Sequence, residues 1–95
     1  MSLACPTFRM TWINARRIQD GYTPDYDIPV SDRSLCFKEC LEKDCTMFTY
    51  QTKFDGSDDL CKLYTMAYDV AKTEFVLWTT LHIRVCTSTG KKPAS

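Results

Sequence analysis

The sequence predicts an α+β fold, with one helix packed on a face of an antiparallel sheet and disulfides holding the two together. Three observations predict it. Six cysteines stand in a chain of 95 residues. One stretch, Ser31 to Lys43, repeats its apolar residues at helical spacing. The other apolar residues fall in short runs rich in Thr and aromatics, divided by turn residues, which is a strand pattern. The order strand, helix, several strands sets the helix against one side of an antiparallel sheet.

The elements follow in chain order. Phe8, Met10 and Trp12 alternate with Thr7, Arg9 and Thr11, so Pro6 to Ile13 reads as a strand with one buried face. Asp20-Gly21 marks a turn, and Pro24 and Pro29 punctuate an irregular passage in which Ile18 and Tyr22 begin a short second strand. The helix covers about residues 32–43, with Ser31 as its N-cap and Asp32 at the positive end of its dipole. Cys36, Phe37, Cys40 and Leu41 form one stripe facing the domain. Cys45–Phe54 and Leu60–Met66 make a hairpin around the acidic loop Asp55–Asp59. Phe75–Val85 is the longest strand, with Phe75, Leu77, Leu81, Ile83 and Val85 on one face. Val76, Trp78, Thr80, His82 and Arg84 lie on the other.

Length allows one domain, over residues 5–86, with residues 1–4 as appended or linker residues and 87–95 as a polar, linker-like tail. No apolar run is long enough to cross a bilayer and no signal peptide is evident, so the chain reads as a module of a longer precursor. Lys+Arg and Asp+Glu both number 12, so no global charge draws the chain to nucleic acid or an anionic membrane.

The cysteines carry the strongest signal. An even count in a short chain without a cofactor motif indicates disulfides and an oxidising compartment. Cys36 and Cys40 point the same way from one helical face and are poorly placed to bond each other. Cys45 lies just past the helix end within reach of Cys40, Cys61 could meet Cys36, and Cys5 and Cys86 remain near the two ends. The spacings CxxxC and CxxxxC, with one His, argue against structural zinc.

Leu35-Cys-Phe-Lys-Glu-Cys-Leu-Glu-Lys-Asp-Cys-Thr-Met-Phe-Thr-Tyr50, followed by Cys61-Lys-Leu-Tyr64, resembles the PAN/apple domain family. The likeness is specific over residues 35–64 and extends through its cysteines to 5–86. It implies the pairings Cys5–Cys86, Cys36–Cys61 and Cys40–Cys45, and a twisted sheet of about five strands cradling one helix. It also implies a non-catalytic module for protein–protein or protein–carbohydrate contacts in secreted or membrane-attached proteins. Matrix and adhesion proteins, plasma proteases and growth factors are such settings.

No catalytic set stands out. His82 is the only histidine, no Ser lies in a GxSxG turn, and a fully bridged cysteine set leaves no thiol nucleophile. Asp55–Asp59 has too few oxygen ligands for a calcium loop and reads as a solvated turn. No catalytic residue, cofactor or metal is therefore expected. The expected partner is an extracellular protein, with a glycan or heparin-like polysaccharide as the alternative, and neither nucleic acid nor membrane insertion. The candidate surface comprises Trp78, His82 and Arg84, from the face opposite the aliphatic stripe, with Arg9, Arg16 and Arg17. Trp78 leads because aromatic and Arg side chains dominate binding hot spots.

Overall fold

A computed structural model describes residues 8–86. The expected Cys5–Cys86 bridge and the end segments 1–4 and 87–95 lie outside the described residues. Five strands and one α-helix run β1 (Phe8–Ile18), β2 (Tyr26–Val30), α1 (Arg33–Glu42), β3 (Met47–Gln51), β4 (Asp59–Tyr64) and β5 (Thr73–Cys86), with a 3₁₀ turn at Val70–Lys72 before β5. The strands form one sheet in the order β1-β5-β3-β4-β2, antiparallel throughout, so β1 and β2 are its edges. The α+β class and the five-stranded sheet with one helix are as expected.

Helix α1 forms where capping allows it. The Asp32 carboxylate accepts from the backbone N–H of Leu35 at 3.2 Å, so Asp32 and not Ser31 is the N-cap. The helix stops at Lys43, and Asp44 takes a left-handed φ of 56°, a conformation Asp tolerates better than most residues. This reversal returns the backbone N–H of Cys45 to the carbonyl of Cys40 at 2.9 Å. The two sulfurs are thereby brought together.

Only Cys36 and Cys40 of the helix are buried. Phe37 is half-buried, and Leu41, expected in the core, is exposed. Covalent bonds rather than a broad apolar face hold α1 down. Cys36–Cys61 ties it to β4 with Cα atoms 5.5 Å apart, and Cys40–Cys45 ties its exit with Cα atoms 4.9 Å apart. Both distances lie in the usual range for bridged cysteines.

The core lies on both faces of the central strands, as strand alternation requires. Beneath the helix pack Val30, Phe48, Tyr50, Leu63 and the bridged Cys36, Cys40, Cys45 and Cys61. On the reverse face Ile18, Met47, Tyr64 and Leu81 pack together, with Tyr22 from the β1–β2 connection against them.

Three readings of the strands need correction. The first strand continues to Ile18, which ends it instead of starting a second. Strand β2 occupies Tyr26–Val30, inside the passage read as irregular, because Pro29 is acceptable on a sheet edge. Strict alternation along β5 also fails. Asn14 pairs with Thr80 but Arg16 with Phe75, so Val76–Thr79 bulges out opposite Ala15. Ala15 and Trp78 both take positive φ there, 58° and 67°. Phe75 and Leu77 are consequently exposed, while Leu81 is buried.

Candidate functional site

The β5 bulge builds the most exposed apolar surface of the described residues. Leu77 and Trp78 are exposed on it, Phe75 is exposed beside it, and Phe54, just past β3, meets Trp78 edge-on with ring centroids 5.1 Å apart. Trp78 is 66% exposed and Phe54 72%. A bulky residue in left-handed backbone is held by its surroundings at a cost of about 1–3 kcal/mol. The backbone carbonyl of Trp78 accepts from Thr52 N–H at 3.0 Å, which pins the bulge to the end of β3. Strain is thus retained where it presents an indole to solvent.

A second surface lies between α1 and β1. The helix packs chiefly over β2, β3 and β4, and a groove separates it from β1. Phe8, Met10 and Trp12 of β1, with Phe37 of α1, wall a groove of about 630 Å³. Its floor is Phe48 and His82, whose rings stack with centroids 4.5 Å apart. Arg9 and Arg33 stand at its rim, both exposed.

His82 was expected to face solvent or a partner, and it is instead only 7% exposed. Its Nε2 has no hydrogen-bond partner. Burial, and secondarily the nearby Arg33 charge, push its pKa down to about 4, so the ring is neutral at ordinary pH. Arg84 is also withdrawn. Its guanidinium donates to Asp44 at 2.9 Å and to the Cys45 carbonyl at 3.2 Å, and it lies over the Phe8 ring.

The reverse face holds a smaller, polar pocket of about 140 Å³ under the β1–β2 connection. Thr49, Gln51 and Thr79 line its floor beside Leu60, Lys62 and Tyr64. The Thr79 hydroxyl is buried and has no hydrogen-bond partner. Burial, with help from Asp27, pushes the Tyr64 phenol up to about 12, so it remains a neutral hydroxyl.

Compared with known protein families, curated proteins and solved structures, the chain matches none.

The six candidate surface residues do not form one patch. Trp78 sits on the bulge and Arg9 at the groove. Arg16 pairs with Phe75 across the strands, and Arg17 is ion-paired to Glu74 at 2.5 Å and to Asp20 at 3.6 Å. Arg9 and Arg16 are roughly 23 Å apart along β1 at about 3.3 Å per residue. The acidic loop is exposed over residues 54–58, where Asp55 accepts from the backbone N–H of Ser57 at 3.0 Å. Asp59 turns inward, accepting from the Tyr50 hydroxyl and from the backbone N–H of Lys53. Among the described residues no group of three or more His, Cys, Asp or Glu is placed to hold a metal. No helix among them is long and apolar enough to cross a membrane.

Phe54, Phe75 and Leu77 are the surface residues that sequence reasoning missed. Phe75 and Leu77 look like core residues under strict alternation, and Phe54 looks like the end of a strand. No local signal announces a bulge opposite Ala15.

Proposed function

We propose that this chain is a non-catalytic extracellular interaction module of the PAN/apple kind, part of a larger secreted or membrane-attached matrix or adhesion protein, and that it binds a protein partner. One observation carries the reading: a strained backbone holds Trp78 in solvent against Phe54, on a stretch of β5 where Phe75 and Leu77 are exposed as well. The exposed Phe54–Trp78 pair, with Phe75 and Leu77 exposed nearby on the same strand as Trp78, forms the kind of anchor that fills a partner's pocket. The two disulfide-bonded pairs support an oxidising compartment. The PAN/apple assignment rests on the residue pattern at 35–64.

The test is binding of the intact chain to an array of extracellular domains, with Trp78→Ala in parallel. Loss of a hot-spot anchor weakens binding by about 2 kcal/mol, roughly thirty-fold. A partner bound equally by both proteins would overturn the role of the bulge.

A second reading, recognition of a glycan, is favoured by the polar pocket on the reverse face. Its hydroxyls, the Gln51 amide and the Lys62 ammonium offer both donors and acceptors. The heparin-like version draws less support, because Arg17 is neutralised and Arg9 lies far from Arg16. Sugar arrays with Gln51→Ala test the pocket, and elution from a heparin column at low salt removes the polyanion version. The flanking sequence of the parent protein tests a regulatory role beside a protease domain.

A further inference from the structure

The bulge and the groove complement each other in shape and charge, and we propose that a second copy of this chain is the partner, each copy seating its Trp78 bulge in the other's groove between α1 and β1. This rests on the protein-binding reading given above and names the partner.

The bulge is convex and apolar, with Phe54, Phe75, Leu77 and Trp78 exposed. Beside it Asp55 and Asp58 are exposed, and neither enters an ion pair among the described residues. Asp55 is held ionised by hydrogen bonds from Ser57. The groove is concave, with apolar walls from Phe8, Met10, Trp12 and Phe37 and a volume of about 630 Å³. Its lining includes the exposed Arg9 and Arg33, and neither enters an ion pair among the described residues. Apolar surface meeting apolar surface contributes affinity, and opposite rim charges fix the register.

The charge pattern argues against the chain's own C-terminal residues as occupant. Residues 87–95 carry Lys91 and Lys92 and no acidic side chain, the wrong sign for an arginine rim. An acidic loop beside exposed aromatics has the right sign, and this chain supplies it.

The two surfaces also lie close along the same strand. His82 floors the groove, and Trp78 lies just before it on β5. A patch and a receptor so near each other can be exchanged reciprocally about a two-fold axis, in which each contact occurs twice. Such a contact closes on itself as a dimer and leaves no free end to extend a filament.

Sedimentation velocity on the intact chain from about 1 μM to about 1 mM tests this. A dimer that grows with concentration is the expected result. Trp78→Ala raises the dissociation constant at least tenfold. Arg9→Glu with Arg33→Glu does the same, as does Asp55→Arg with Asp58→Arg. Asp58→Arg alone, which spares the Asp55 loop bonds, weakens pairing in the same direction. Mixing the two charge-reversed double variants restores pairing, because every groove then faces a bulge of opposite sign. A wild-type chain that stays monomeric throughout overturns the proposal, and so does a mixture that fails to pair while both variants keep the native near-ultraviolet circular dichroism. If a monomeric chain still binds an arrayed extracellular domain through Trp78, self-pairing falls and the protein-binding reading stands. If Trp78→Ala changes neither measurement, both fall.

Discussion

Substituting His82 by Phe separates one proton from the rest of the acid response. In the folded chain the imidazole lies stacked on Phe48 with its pKa pushed down to about 4 by burial and, secondarily, by Arg33, against an ordinary 6.5. Between those two values the unfolded chain takes up a proton that the folded chain refuses. Stability therefore falls as pH drops from about 6.5 to about 4, and levels off below the folded value. A gap of about 2.5 units at 1.36 kcal/mol each gives about 3 kcal/mol over the whole window, and about 2 kcal/mol of that is lost by pH 5. Phe retains a ring to stack on Phe48 and has nothing to titrate. Urea unfolding at pH 7, 6 and 5 reads the difference. Wild type should lose about 2 kcal/mol more than His82→Phe between pH 7 and 5, a midpoint displacement of roughly 1 M. Asp32, Asp55 and Asp59, all with lowered pKa, act at more acid pH and are common to both proteins. Parallel stability–pH curves for the two proteins would refute the buried neutral imidazole.

Other outcomes follow from the bridges, the bulge and the buried ion pair. Cys36→Ala with Cys61→Ala opens a loop with a sequence separation of 25, and Cys40→Ala with Cys45→Ala one of 5. Chain entropy puts their costs at about 3.5 and about 2 kcal/mol, and denaturant titration giving the reverse order would contradict the loop argument. Trp78→Gly removes left-handed strain along with an exposed ring, so it should change thermal stability by less than about 1 kcal/mol, where a core Trp would cost several. A drop beyond about 3 kcal/mol in calorimetry would show that Trp78 is structural. Asp44→Asn keeps a residue suited to positive φ but removes the opposite charge from the Arg84 guanidinium, whose side chain is 9% exposed and which is left with neutral acceptors such as the Cys45 carbonyl. A loss of about 1–2 kcal/mol is expected, partly recovered by adding Arg84→Met, and calorimetry of the single and double variants checks it.

Much of the architecture is readable because its causes are local. Spacing places Cys36 and Cys40 on one face of a helix, and residue composition marks β3 and β4. Ser31 and Asp32 are both good caps by residue type, and only geometry chooses the Asp32 carboxylate. Strand β2 is hidden by Pro29, whose edge position depends on the whole sheet. Leu41 is exposed because two disulfides, and not an apolar stripe, seat the helix. The candidate site was legible in Trp78 alone. Its neighbours depend on the bulge between Phe75 and Thr80, a long-range register shift set by pairing with β1. His82 and Arg84 share the parity of solvent-facing positions, yet the helix and the β1 edge enclose that side.

The way α1 is fastened divides the proposed interaction surface into two parts with different sensitivities. One wall and one rim charge of the groove, Phe37 and Arg33, ride on a helix seated by sulfur–sulfur bonds. The Trp78 protrusion belongs to β5, hydrogen-bonded to neighbours on both sides. Thiol reductants acting on Cys36–Cys61 should therefore blunt the receptor half while the anchor half keeps its shape. A molecule in that condition can still be gripped by others but no longer grips back.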